Sequence, residues 1–182
     1  YVRVFPGEHR EAPAMFKYDG KYYLLTSGAT GWDPNENKYS VADNIFGPWS
    51  TMVNPFVKTR DTDPDPMKAF NSQTTCVIPV DPAKGKFIYV GDMWNGGDFS
   101  NDGAKYVFLP IEFGQGSDMI IRWYDSWEPS ILDSMAKVNI VTKFPEAVAL
   151  GTLPNLPATV DILDKGTTIS TPAIWTVNSH TP

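Results

Sequence analysis

The chain has 182 residues, 42% of them hydrophobic, enough apolar material to bury the core of one domain, or of a domain and a fragment. With 21 acidic against 15 basic residues the net charge is -6, and no Lys/Arg cluster offers a polyanion an electrostatic footprint, so nucleic acid is excluded as the expected partner. Apolar runs stay well short of the roughly 20 residues that span a bilayer, and no charged-then-apolar leader precedes Tyr1, so no membrane span is expected and any export signal is expected outside this chain.

Ten Phe, 8 Tyr and 6 Trp beside 14 Gly and 16 Pro predict many aromatic strands divided by tight turns, an all-β composition. Residues 14–27 read as two strands around Asp19-Gly20, because Asp-Gly suits the positive φ angles of a type I′ hairpin. Lys38 to Ala42 is a further short strand, closed by Gly47-Pro48-Trp49. Three strands in about 35 residues suggest a repeat of one sheet per blade. Asn54 to Asn71, rich in Asp, Pro and Lys and without either period, reads as a long loop.

Strands resume at Thr74 to Val80, Phe87 to Asp92, Lys105 to Phe113 and Ile120 to Trp123, with a Gly-rich loop ending at Gly103 and only a weak helical signal around Ser130 to Ala136. The one cysteine, Cys76, excludes an intrachain disulfide, and its neighbours Val77 and Ile78 predict a buried strand thiol. After Asp125-Ser126-Trp127-Glu128-Pro129 the aromatics thin out and Pro145, Pro154, Pro157 and Pro172 punctuate Val/Thr/Ile-rich stretches. A boundary is therefore expected between residues 145 and 146. Residues 146–182 resemble a linker and the first strands of a bacterial Ig-like module, which needs about 70 to 100 residues to complete its sandwich.

Residues 9–17 (His-Arg-Glu-Ala-Pro-Ala-Met-Phe-Lys) and 26–35 (Thr-Ser-Gly-Ala-Thr-Gly-Trp-Asp-Pro-Asn) closely resemble the exo-β-1,3-galactanase branch of glycoside hydrolase family 43. Gly47-Pro48-Trp49, Ser72-Gln73-Thr74-Thr75, residues 87–94 and residues 106–113 follow in the order of that branch, so the likeness covers residues 9 to 127. It implies the C-terminal blades of a five-bladed β-propeller with a sugar site at the mouth of its axis. It further implies that about two earlier blades come from a longer parent chain or from another chain. A protein secreted or held at the cell surface is the matching expectation.

Glycosidic cleavage needs an acid at the leaving oxygen and, with inversion, a group opposite it to activate water. Glu11 is the candidate acid: it immediately precedes a strand and Ala12-Pro13, where limited solvation would raise a carboxyl pKa. The competing reading is a surface Glu paired with Arg10. The resemblance places Gln73 at the water position, orienting the water, in one version as an imidic acid; equally open is a simple hydrogen bond to a sugar hydroxyl. The aspartate that tunes the acid in the family has no match here.

Trp32, in a loop after a strand, is the candidate platform for a sugar face, whereas the other tryptophans are expected to pack in the core. Asp92 and Asp102 flank the Gly-rich loop and are candidates for gripping sugar hydroxyls, against a reading as solvated turn residues. Ala29 stands where the branch commonly has Cys and Met93 where it has Arg, and Lys58 to Lys68 looks like an insertion. Loss of that cation would remove a bidentate donor from the cleft rim.

His9 and His180, the only histidines, lie far apart, so neither a His-based metal site nor a Ser-His-Asp triad is expected, and no cofactor or metal is called for. The reading is thus an inverting exo-galactan hydrolase acting on a β-1,3-galactan polysaccharide or oligosaccharide, active in the full-length parent and inactive as the isolated chain. The alternative is a non-catalytic carbohydrate-binding or structural surface protein.

Overall fold

Asp19 and Gly20 reverse the chain as their residue types require: both hold positive φ, 48° and 77°, between strands β1 (Arg10–Tyr18) and β2 (Lys21–Gly28). The computed structural model describes residues 2–94, 103–114, 116–135, 139, 140, 142, 156–164 and 167–173, and it divides into two compact units, residues 1–137 and 138–182. In the first unit β1, β2 and β3 (Lys38–Ala42) form an antiparallel meander. Tyr39 and Val53 exchange backbone hydrogen bonds of 2.8 and 3.0 Å on the far side of β3, which gives this sheet the rudiment of a fourth strand.

The second sheet contains β4 (Phe56–Val57), β5 (Gln73–Asp81), β6 (Lys86–Met93), β7 (Lys105–Phe113) and β8 (Met119–Arg122), in the order β4-β8-β7-β6-β5. Strands β5 to β8 are a second antiparallel meander, and a single helical turn, α1 (Ile131–Ser134), follows. Two consecutive antiparallel meanders are the expected blade pattern. Among the described residues no helix is long and apolar enough to cross a membrane.

The two sheets meet through aromatic rings. Along β1, Phe16 and Tyr18 turn inward while Met15 and Lys17 face solvent, the period of two that a strand imposes. Phe16 stacks on Tyr23 at 5.0 Å and meets Phe87 of the second sheet at 4.8 Å, and Tyr18 lies 4.3 Å from Phe113. Such pairs add about 0.5–1.5 kcal/mol each beyond the area they bury. This packing sets β1 beside β5, the two strands whose first residues carry the candidate site.

Two expectations need correction here. Residues 54–71 are not all loop: β4 runs parallel to β8, with Phe56 opposite Ile121, and Pro66–Asn71 forms a kinked 3₁₀ turn. A two-residue strand shows no periodicity, so nothing in the sequence marks it. Cys76 is exposed, not buried. The register between β5 and β6 shifts between Thr74 and Cys76, and this bulge turns the following side chains on an edge strand away from their expected faces.

The segment that looked like an insertion is held by one carboxylate. Asp63, whose side chain is fully covered, accepts hydrogen bonds from the Thr59 and Arg60 amides, the Thr59 hydroxyl and Arg60 Nε at 2.7 to 3.0 Å. Arg60 Nη1 then reaches Asp125 at 2.9 Å. Burial alone would push the Asp63 carboxyl up, but the bonds from Arg60 and Thr59 outweigh it and hold it well below the usual range. A carboxyl depressed in the folded state adds stability that is complete above its unfolded pKa, about 3.9, and is lost as pH falls toward the folded value. Asp63→Asn should therefore lower Tm at pH 7, and the gap from wild type should close as melts are repeated from pH 5 down to pH 2. A gap independent of pH would remove the charge from this account.

The second unit holds β9 (Asn139–Ile140), β10 (Thr159–Asp164) and β11 (Thr167–Pro172) in one antiparallel sheet of order β11-β10-β9. Val160 is buried in this unit. An Ig-like sandwich needs two facing sheets, and the described residues of this unit make one.

Candidate functional site

Glu11 and Gln73 lie at the starts of β1 and β5, and the inter-sheet packing brings them into contact: Gln73 Nε2 donates to Glu11 Oε1 at 3.1 Å. The same nitrogen donates to Ser27 Oγ at 2.9 Å, and Gln73 Oε1 accepts from Trp94 Nε1 at 2.8 Å. Ser27 is the cross-strand partner of Glu11 and is fully buried. The contacts are those of an ordinary amide, with two donations from nitrogen and an acceptance at oxygen.

Arg10 does not pair with Glu11. It is turned to the other side of β1, where Nε donates to Thr26 Oγ1 at 3.0 Å and Nη2 to the carbonyls of Thr26 and Glu36 at 2.6 and 3.2 Å. Among the described residues no ion pair involves Glu11. The expected limited solvation of Glu11 is also not what the structure shows, because its side chain is exposed. The break in register between Glu11 and Ala14, with Ala12 at φ 50°, swings the carboxyl out of the sheet, and Gln73 shields one of its oxygens.

Backbone strain gathers at both strand entrances. His9 and Ala12, at φ 47° and 50°, flank Glu11, and Ala69, Phe70 and Asn71, at φ 47°, 57° and 63°, lead into Ser72-Gln73. The left-handed region costs roughly 1–2 kcal/mol for each residue with a Cβ, and such costs persist where surroundings dictate the conformation. Here Ala69 and Phe70 are fully buried, Phe70 packs edge-on against Phe56 at 5.4 Å, and the Ser72 amide bonds to the Lys68 and Ala69 carbonyls.

Beneath Gln73 runs a buried polar network. Ser72 Oγ donates to the Ala69 carbonyl at 2.6 Å and shares a 2.9 Å hydrogen bond with Tyr89 Oη. Asn37 Nδ2 reaches Thr74 Oγ1 at 3.2 Å and Tyr89 Oη at 3.4 Å, which ties the loop before β3 to β5 and β6. Burial pushes the Tyr89 hydroxyl up to about 12, against the opposing bonds with Ser72, Thr74 and Asn37, so it stays a neutral partner at physiological pH.

Asp92 lies opposite Gln73 in the β5–β6 ladder and lines a shallow pocket with Gln73, Trp94, Asp33 and Asn35. Trp32 is 52% exposed, and its ring meets Trp94 edge-on at 5.2 Å and 62°. Asp102 lies outside the described residues. The structure thus gathers Glu11, Gln73, Trp32 and Asp92, and adds Trp94 and Ser27, which the sequence reading missed. Trp94 departs from the expectation that tryptophans other than Trp32 pack in the core. Its signal was available: Trp94 is two residues beyond Asp92, so a strand alternation sends both to one face. Met93, by the same alternation, packs against the aromatic core, which corrects its placement on the cleft rim. Among the described residues, no group of three or more His, Cys, Asp or Glu side chains converges to hold a metal.

Paired meanders of the kind that form propeller blades thus present a carboxyl and an amide in contact at the entrances of their first strands, beside an exposed indole. No protein-family model and no curated protein matches the chain. Among solved structures it is similar to the GH43 β-1,3-galactosidase BT3683, solved with galactodeoxynojirimycin, at 40% identity over 70% of this chain and 34% of that one, with a TM-score of 0.61. A second GH43 β-1,3-galactosidase, BT0265, is 27% identical over 96% of this chain and 38% of that one, with a TM-score of 0.68. The exo-β-1,3-galactanase of Phanerochaete chrysosporium, in a glutamate-to-glutamine form with β-1,3-galactotriose, is 27% identical over 69% of this chain and 26% of that one, with a TM-score of 0.54. The chain is a relative of these family 43 glycosidases, all-β in the manner of their propeller blades, and spans about a third of their length.

Proposed function

We propose that the chain supplies the acid and the water-orienting residue of an inverting, exo-acting glycosidase that cleaves β-1,3-linked galactan, within a longer secreted protein. The observation that carries this reading is the contact of Glu11 with Gln73 at the paired entrances of β1 and β5. The names of the relatives support the substrate class, since they pair β-1,3-galactosidase and galactanase with galactose-type ligands.

The amide contacts favour one of the two roles open to Gln73. Both hydrogens of Nε2 are committed, to Glu11 and Ser27, while an amide oxygen has two lone pairs and Trp94 uses one. What remains while the Glu11 contact holds is an acceptor, which orients a water by one of its hydrogens; an Nε2 hydrogen becomes free to donate only when that contact parts. Catalytic carboxyl pairs that invert stand about 6.5–9.5 Å apart, with water between. A bound sugar therefore replaces the direct Glu11 to Gln73 hydrogen bond, and Glu11 turns its proton to the leaving oxygen.

The test follows β-1,3-galactotriose by proton NMR in the presence of the longer protein. Galactose should appear first as the α anomer, and the 182-residue chain alone should give no turnover. First appearance of the β anomer would overturn inversion, and binding of the trisaccharide with no cleavage would favour a non-catalytic carbohydrate-binding protein.

A further inference from the structure

Gln73 could meet its surroundings with either end of its amide, because oxygen and nitrogen are nearly the same size and a half-turn about the last side-chain bond exchanges them. Which end faces where decides whether a neighbouring water finds an acceptor or a donor. Among the described residues three groups hydrogen-bond to this amide, and they differ in what they can dictate. Glu11 accepts when ionised but carries a hydrogen when it serves as an acid, so its demand changes within the proposed cycle. The Ser27 hydroxyl has its hydrogen directed to the Gly28 carbonyl at 3.0 Å, which leaves it an acceptor toward Gln73. Only the indole of Trp94 has a single fixed requirement, since Nε1–H donates and cannot accept.

Trp94 also has a second contact on the same rim. Its ring meets that of Trp32 edge-on at 5.2 Å, on the rim where Trp32 is 52% exposed. Trp94 is not a member of the aromatic core that joins the two sheets. Its indole therefore spans the interval between the sugar platform and the amide, with the N–H on one and the ring on the other.

We propose that Trp94 is a positioning residue that keeps the Gln73 oxygen, and not its nitrogen, available as the acceptor, while its ring braces one side of the Trp32 platform. This rests on the water-orienting role proposed for Gln73. Flipping the amide would set Nε2 against the indole N–H, donor against donor, and would leave the Ser27 oxygen without its hydrogen. The orientation thus survives protonation of Glu11, the moment at which the Glu11 contact ceases to enforce it.

Two substitutions separate the halves of the role. Trp94→Phe keeps a ring beside Trp32 and removes the N–H; it should lower kcat about tenfold, the worth of one neutral hydrogen bond, with KM within about twofold of wild type. Trp94→Ala removes both and should raise KM severalfold in addition. A merely structural tryptophan would instead lower Tm and leave the ratio between the two kinetic effects alike in both variants.

The contact itself is read without turnover, in the 182-residue chain labelled with nitrogen-15 at tryptophan. Exchange of the Trp94 indole hydrogen should be slow, and Gln73→Met, which lacks the amide oxygen, should speed it about tenfold or more. Unchanged exchange in Gln73→Met, or wild-type kcat in Trp94→Phe, overturns the proposal. If the longer protein proves not to cleave galactan at all, the glycosidase reading fails on that result, and the exchange experiment still decides whether Trp94 orients Gln73.

Discussion

Glu11→Gln is expected to cut galactose release from β-1,3-galactan by the longer protein about 10²- to 10⁴-fold, the usual contribution of a positioned proton donor. The substitution keeps the size of the side chain and an oxygen that accepts from Gln73 Nε2, but it removes the transferable proton. Because Glu11 is exposed and Arg10 bonds elsewhere, the fold should be unaffected and Tm unchanged. The loss should be much smaller on an aryl β-galactoside, whose leaving group departs with little help from an acid. Equal losses on both substrates would point to a distorted site, and unchanged turnover on galactan would remove Glu11 from the mechanism.

The second large effect is expected at Gly91, on β6 behind the site. A Cβ there would lie 2.6 Å from Tyr89 Oη, 2.7 Å from Ser72 Oγ and 2.8 Å from Ser72 Cβ. Neither neighbour can step aside, since Tyr89 is fully buried and Ser72 is 2% exposed and bonded at both ends. Overfilling of this kind costs about 1–3 kcal/mol, which is roughly 3–10 °C in Tm for a unit of this size. Gly91→Ala should also depress turnover, because the residue displaced is the one that precedes Gln73 in the chain. Tyr89→Phe in the same chain removes one of the atoms struck and should recover part of the Tm, a coupling measured by the double-mutant cycle. A wild-type melt for Gly91→Ala would show that the space beside Ser72 is not filled.

How far the sequence carried depended on whether a feature is local. The Asp19-Gly20 hairpin and the bounds of β7 are written in neighbouring residues, through turn chemistry and alternation, and they stand where expected. The exposure of Cys76 was not legible because one extra residue in a ladder reverses which face follows, and only the partner strand reveals the extra residue. β4 was hidden for a related reason: its pairing is with a strand some 60 residues later, and two residues carry no period. The pairing of Glu11 with Gln73 came from the resemblance to family 43, while the third party to that contact, Trp94, looked like any other aromatic in an aromatic-rich chain.

Ala69, Phe70 and Asn71 sit together in the left-handed region at the door of Gln73. Glycine at Ala69 or Asn71 would relieve local backbone strain, while the extra freedom it grants the unfolded chain pulls the other way; at Phe70 it would empty a ring from the core. Were the relief to prevail, a laboratory population chosen only for heat resistance would drift toward glycine there, and the peptide that fixes where Gln73 starts would become the loosest stretch beside it. Selection for endurance and selection for turnover would then draw this short segment in opposite directions.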